Sequence, residues 1–409
     1  MEKKKSAFGQ RACLLVSLLT SFITTFLGSA LNLSVPAIGR EFAVSASFVS
    51  WIATVYMLTC ALLAIPFGLL ADRLSRALIL RAGIGVFAVS SLGAAFAGSM
   101  WLLLALRAVQ GVGAAMIFAT NIAILTSVFA AEKRGRVLGY TVCANYLGLA
   151  AGPVLGGLFA HYLGWRAIFI AAAIVSGAAF FAALKKLPPA EKNVTGGNKE
   201  KQARPLGQLC HNASFICAAL AALINYGAVY AAGYLMSLYL QIVCGLPAQK
   251  AGLVLIASPL VLALFSPWCG KLSDRLMPQR LSALGMAVCA AVTAAFSFLG
   301  QESNLLLVIV LLAGCGLGAA LFSTPNTNAA LAAVDKSSHG LATSVLAAMR
   351  SLGHSLCMAV VTAAAAFKLG ALQLDEAEPQ QLMQTLRLCF YIFAALCFLG
   401  IFVALRRKT

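Results

Sequence analysis

Stretches of about twenty apolar residues recur along this chain from one end to the other, and no other feature limits its fold so tightly. A helix rises 1.5 Å per residue, so about twenty residues cross the roughly 30 Å hydrocarbon core of a bilayer. Windows of that length place twelve spans near 12–33, 48–70, 78–97, 101–123, 137–160, 166–185, 213–240, 251–270, 281–299, 304–327, 341–366 and 385–405. With 61% of its residues hydrophobic and only 10% charged, a water-soluble globule could not hide the apolar surface. The chain is expected to be an all-α membrane protein with no large soluble domain.

The one long polar insert runs from Lys185 through Pro188, Pro189, Gly196, Gly197 and Lys201 to Pro205. It separates six spans from six, which gives a first bundle over 1–186, a linker over 187–212 and a second bundle over 213–409. Basic loops resist translocation. Sorting the loops by side puts 23 Lys and Arg in the set that holds Lys3, Lys4, Lys5, Arg73, Arg76, Arg81, the linker, Lys271, Arg275, Arg280 and Arg406, against about five in the other set. Both termini and the linker are therefore expected on the cytoplasmic side. The net charge of +18 belongs to loops beside anionic lipid, so the bilayer, and not nucleic acid, is the expected partner. The apolar run after the first lysines is too long for a cleaved leader and reads as the first span.

Twelve cysteines lie scattered with no Cys-x-x-Cys pair, and four histidines show no metal-ligand spacing. Neither a metal nor any other cofactor is expected. A membrane-embedded enzyme would need clustered nucleophiles or ligands, so the chain is not expected to be an enzyme.

The halves repeat each other. Gly111-Val112-Gly113-Ala114-Ala115 returns as Gly316-Leu317-Gly318-Ala319-Ala320, and at the same offset of 205 Asn121 matches Asn326, Gly135 matches Gly340 and Leu147-Gly148 matches Leu352-Gly353. Gly68-Leu69-Leu70-Ala71-Asp72-Arg73-Leu74 returns as Gly270-Lys271-Leu272-Ser273-Asp274-Arg275-Leu276, offset by 202. Repeated halves of six spans fit a transporter in which one half rocks against the other around a midplane site.

With these features the chain resembles the major facilitator superfamily over nearly its whole length. The resemblance implies two pseudo-symmetric six-helix bundles working by alternating access as a monomer. The loop Gly68 to Arg76 resembles the family's cytoplasmic signature, with Ser75 and Ala77 where a glycine and a basic residue are usual. Its Asp72 and Arg73, with the second copy Asp274 and Arg275, are candidate conformational residues that can pair or accept hydrogen bonds at the membrane edge; an ordinary solvated turn is the alternative. In the fourth span, Leu106-Arg107-Ala108-Val109-Gln110-Gly111 carries a cation whose burial costs roughly 2 to 3 kcal/mol, so Arg107 must be paired or face a wet cavity. The resemblance gives Arg107 and Gln110 a coupling role; structural pairing or snorkelling is the plain reading.

Gly139, Gly148, Gly152-Pro153 and Gly156-Gly157 follow the spacing of the family's antiporter motif. Ala144, Gly148, Gly152, Gly156 and Ala160 recur every fourth residue and make a groove for another helix, with Pro153 bending its own. Export is implied by the family association; the geometry alone equally fits a packing face. Leu31 to Ile38, Ser50 to Leu58, Tyr239-Leu240-Gln241 and Pro325-Asn326 resemble drug:proton antiporters of the fourteen-span type. Those relatives carry an acid in the first span, where this chain reads Phe26-Leu27-Gly28-Ser29-Ala30, which leaves Asp72, Arg107 or His354 to titrate. The plainer reading of His354 is a hydrogen-bonded helix-packing residue.

The resemblance places the cavity on spans one, four, seven and ten. Tyr226, Tyr230, Tyr234, Ser237 and Gln241 fall three and four apart in the seventh span and are expected to share a face suited to an amphipathic organic solute. Asn32, Asn121, Asn225 and Asn326 add neutral hydrogen-bonding groups. The expected function is secondary active export of a lipophilic or amphipathic small molecule in exchange for protons, in a bacterial cytoplasmic (inner) membrane; the alternative is an importer or facilitator of a small metabolite.

Overall fold

A computed structural model describes residues 2–129, 131–186, 211–334, 339–369 and 379–406. Every secondary-structure element among them is a helix. Twelve of these are long and apolar enough to cross a membrane: Gln10–Leu33, Ser47–Ala64, Arg76–Ala95, Met100–Asn121, Cys143–Tyr162, Arg166–Lys185, Ala213–Val243, Ala248–Ser273, Pro278–Phe296, Leu305–Ala332, Val345–Lys368 and Pro379–Leu405. Their ends differ from the sequence expectation by six residues at most. The linker expected over 187–212 lies almost entirely outside the described residues.

Local chemistry sets the helix ends. The Oγ of Ser99 accepts from the Leu102 N–H at 3.3 Å, and the Oδ1 of Asn212 accepts from the Phe215 N–H at 3.1 Å. Asn304 caps the tenth span in the same way, at 2.9 Å from the Leu306 N–H. Each answers one of the donors that a helix start leaves unpaired. Ser75, at the place of the family's usual glycine, caps Arg76–Ala95 through the Leu78 N–H. Gly164 and Gly245 turn the chain after the fifth and seventh spans at φ of +81° and +63°, where a Cβ would be strained. Phe96, Trp101, Tyr162, Phe298 and Phe367 stay more than half exposed, as lipid-facing and interfacial aromatics do.

The chain divides into two compact units, Met1–Ser34 with Val55–Thr195, and Val35–Thr54 with Gly196–Thr409. The segment Val35–Thr54 thus groups with the second unit, where the Ser50 and Thr362 hydroxyls meet at 2.7 Å.

Inside each unit the helices meet in the same register. A Cβ on Gly111 would lie 2.6 Å from the Tyr56 carbonyl oxygen, and one on Gly316 would overlap the Ser258 carbonyl. Gly113 approaches the Gly83 carbonyl as Gly318 approaches that of Gly285. Gly148 is pressed on the Phe22 carbonyl as Gly353 is on that of Leu223. Side-chain hydrogen bonds repeat the pattern. Gln10 Nε2 donates to the Val128 carbonyl at 3.1 Å, and Asn212 Nδ2 to that of Ala333 at 2.6 Å. Arg166 reaches the Ala97 carbonyl at 3.2 Å, and Arg387 that of Leu299 at 3.4 Å, each covering carbonyls that a helix end leaves open. The colinear sequence matches therefore reflect one helix-packing scheme used twice.

Candidate functional site

Three clusters gather most of the chemistry expected from the sequence, and each lies within one unit. The first is built on the fourth span. Arg107 is 1% exposed and Gln110 is fully buried. The guanidinium carbon lies 4.1 Å from the centroid of the Tyr56 ring, and Nη1 donates to Gln110 Oε1. Gln110 Nε2 in turn donates to Ser91 Oγ at 2.6 Å, and Ser91 Oγ to the Phe87 carbonyl at 2.6 Å. The chain of contacts ties the fourth span to the second and third. Within a low-dielectric interior such a cation–π contact contributes up to about 2 kcal/mol, which offsets part of the burial cost. Asn121 lies eleven residues further along a similar helical face, but it meets a different neighbour: its Nδ2 donates to Ser21 Oγ at 3.0 Å and the Ser17 carbonyl at 3.4 Å on the first span. Its Oδ1 is buried with no hydrogen-bond partner.

The second cluster is the seam between the fifth and first spans. The groove of small residues holds the first span. Added Cβ atoms on Gly152 and Gly156 would lie 2.5 Å from Ser29 Cβ and 2.7 Å from Ala30 Cα, and one on Gly148 would overlap the Phe22 carbonyl. Thr25 Oγ1 donates across it to the Asn145 carbonyl at 3.1 Å, and Ser29 Oγ to that of Leu149 at 3.2 Å. The helix runs unbroken through buried Pro153. Asn32, 9% exposed, sits in the short turn Leu31–Leu33 that ends the first span.

The third cluster joins the seventh and eleventh spans. Here a Cβ on Gly227 would lie 2.8 Å from the Gly353 carbonyl, so the backbones nearly touch. On either side of that contact, side chains form two rungs. Arg350 places its guanidinium carbon 4.5 Å from the Tyr226 ring centroid and Nη2 donates to the Tyr226 hydroxyl at 3.3 Å. One turn on, the His354 imidazole stacks on the Tyr230 ring with centroids 4.6 Å apart. Phe322 of the tenth span meets Tyr226 edge-on at 6.1 Å. Arg350 is exposed, while Tyr226, Tyr230 and His354 are half-buried.

Arg350 was not among the residues expected from the sequence. Sorting basic residues into two sets of loops leaves two arginines in neither, Arg107 and Arg350, and that remainder was the available signal.

The polar stripe of the seventh span does not stay on one surface. Tyr234 and Ser237 are buried, and Gln241 Nε2 turns back to Ser237 Oγ at 3.0 Å, at a π-helical turn over Tyr239–Val243. At about 100° per residue, Tyr234 has rotated about 80° from Tyr226, away from the face of the two rungs. Asn225 is also turned inward: it is 1% exposed, its Nδ2 lies 3.6 Å from Cys289 Sγ, and its Oδ1 is buried without a partner. Asn326 Nδ2 bonds the Ala218 carbonyl at 3.2 Å. Asn225, Asn326 and Tyr234 thus lie between helices of their own unit and not on the face of the rungs. Asp72, Arg73 and Asp274 end the helices Trp51–Arg73 and Ala257–Arg275, and their side chains lie outside the described residues; Arg275 is exposed. Among the described residues no group of His, Cys, Asp and Glu could hold a metal ion.

Comparison with known proteins places this architecture. The chain is 26% identical to the riboflavin transporter RibZ of Clostridioides difficile, over 95% of this chain and 96% of that one. It is 25% identical to the multidrug resistance protein Stp of Mycobacterium tuberculosis, over 81% and 71%. Among solved structures, a bacterial homolog of the human lysosomal transporter Spinster, in an inward-facing and occupied conformation, superimposes with a TM-score of 0.78 at 17% identity over 97% and 96% of the chains. The Major Facilitator Superfamily profile matches residues 17–358, and together with the twelve spans this makes the chain a multi-pass membrane transporter, and not an enzyme, that belongs to the major facilitator superfamily.

Proposed function

We propose that this transporter exports an amphipathic organic compound from a bacterial cytoplasm in exchange for protons, acting as a monomer with both termini cytoplasmic. The observation that carries this reading is the glycine seam of the fifth span. Three glycines on one helix face hold the first span in backbone contact, in the spacing that resembles the family's antiporter motif. In this reading the bundles 1–186 and 213–409 are the moving bodies. The loop residues Asp72, Arg73, Asp274 and Arg275 bias the conformational equilibrium, the buried Arg107–Gln110–Ser91 chain couples it to ion movement, and Tyr226, Tyr230 and His354 meet the solute.

The relative named as a riboflavin transporter, whose alignment spans nearly the whole chain, keeps a second reading in view, an importer or facilitator of a small metabolite. Purified protein in liposomes distinguishes the two. With a proton gradient imposed alone, export by antiport predicts solute accumulation against its own gradient that collapses with a protonophore. Solute equilibration that ignores the proton gradient would leave the facilitator reading standing and remove antiport.

A further inference from the structure

We propose that the solute of this transporter is a planar aromatic anion, held by Arg350 over Tyr226 and by the Tyr230–His354 stack. The inference rests on the transport reading above and names the chemistry of its solute.

The two rungs are built by the backbone contact at Gly227 and Gly353. Tyr226 is the immediate neighbour of Gly227, and Arg350 and His354 flank Gly353, so the same close approach that brings the helices together fixes which side chains face each other across them. Tyr226 and Tyr230 are four residues apart on one helix, and Arg350 and His354 four apart on the other, so the rungs lie one above the other on a common face. The Tyr226 and His354 centroids are 6.4 Å apart, which makes the aromatic surface continuous from one rung to the next.

Two properties of that surface select a solute. Its rings offer flat apolar area with polar rims, which suits another aromatic plane. Its exposed charge is a guanidinium whose planar fork forms paired hydrogen bonds with carboxylate, sulfonate or phosphate oxygens. The helices that build the cluster, Ala213–Leu238, Leu305–Ala332 and His339–Leu369, contain no Asp or Glu, so their formal charge is positive and favours an anion, although the ring faces by themselves would also accept a cation. Contact with Tyr226, through both ring and hydroxyl, directs Arg350 sideways to the seventh span, whereas an arginine snorkelling toward headgroups would extend along its own helix.

The test uses three probes that share one ring system and one point of attachment: naphthoate, naphthamide and naphthylmethylammonium. Equilibrium binding of each, radiolabelled, is measured on the purified full-length protein in detergent. Naphthoate is expected to bind about tenfold more tightly than the amide, the size expected of one hydrogen-bonded charge pair, and the ammonium more weakly still. Arg350→Gln is expected to bring naphthoate and naphthamide within about twofold, Arg350→Lys to keep the order with a smaller spread, and Tyr230→Ala to weaken all three by a similar factor. The wild-type order alone is decisive if a variant does not fold. Equal or tighter binding of the ammonium, a preference for naphthoate that survives Arg350→Gln, or no saturable binding of any probe overturns the proposal. Neither direction nor proton coupling enters this measurement. Naphthoate preference without proton-driven accumulation in liposomes therefore removes the antiport reading and leaves this inference, and the reverse pattern removes only this one.

Discussion

The seam between the first and fifth spans and the seam between the seventh and eleventh occupy equivalent places in the two repeats, yet they are made of opposite materials. In the first, Thr25 and Ser29 are small hydroxyl residues bonded to the backbone of the facing helix, and glycines at 148, 152 and 156 bring the two helices together over about two turns. In the second, the glycine contact survives at Gly353, but Cys357 and Val361 stand where the other two glycines would be. Tyr226 and Tyr230 replace Thr25 and Ser29 in register, and Arg350 and His354 face them. One copy of the packing scheme is closed by glycine contacts and hydroxyl–backbone hydrogen bonds, whereas the other presents a polar, aromatic surface. A second contrast runs the other way. The fourth span buries Arg107 and Gln110, while the corresponding places in the tenth hold Leu312 and Cys315, both nearly fully buried. The two arginines that belong to neither set of loops thus lie on different helices of the two repeats, Arg107 packed into its unit and Arg350 exposed.

The largest effect should come from breaking the glycine seam. Gly156→Leu is expected to destabilise the detergent-purified protein by roughly 3 kcal/mol and to remove transport in liposomes, because the added side chain meets Ala30 backbone that cannot move aside. Val361→Ala at the equivalent place should cost only about 1 to 2 kcal/mol by leaving a small void. Equal losses at the two positions would show that the seams do not differ as described.

Next in size is the exchange of core chemistry. Arg107→Leu leaves the Gln110 acceptor buried without its donor and should cost about 2 kcal/mol in thermal unfolding. Adding Gln110→Cys, which copies the Leu312 and Cys315 pair, should recover more than half of that loss of stability while transport stays impaired. Recovery of transport together with stability would mean that Arg107 has only a packing role.

The smallest effects belong to the asparagine straps. Asn121→Ala and Asn326→Ala should each cost about 1 kcal/mol, and the double variant should equal their sum within about 0.5 kcal/mol, since each strap closes within its own unit. A larger combined loss would reveal energetic coupling between the repeats.

Much of this molecule was legible in the residues. Span number and position follow from apolar length alone, because bilayer thickness leaves a helix little freedom. The duplication was legible because glycines at helix contacts tolerate no Cβ, so the same letters recur wherever the same contact does. The site was legible only in part. Periodicity grouped Tyr226, Tyr230, Tyr234 and Gln241, but a straight helix turns each step of four by a further 40°, so the stripe winds from one neighbour to the next and Tyr234 ends in the core. Asn225 and Asn326 are polar residues in apolar spans, a pattern that fits solute contacts and helix straps equally well. Only the identity of the facing carbonyl or sulfur distinguishes the two.

The sequence by itself determined a twelve-span, twice-repeated helical chain with Arg107 and a glycine ladder at depth, since these depend on the energy of each residue in hydrocarbon and on local spacing. Tertiary structure decided which helix fills the glycine groove, that Arg107 lies over Tyr56, and that Arg350 and His354 stand against Tyr226 and Tyr230. Those pairings join residues more than a hundred positions apart, or on different helices, and hydropathy carries no information about which face of one apolar helix meets which face of another.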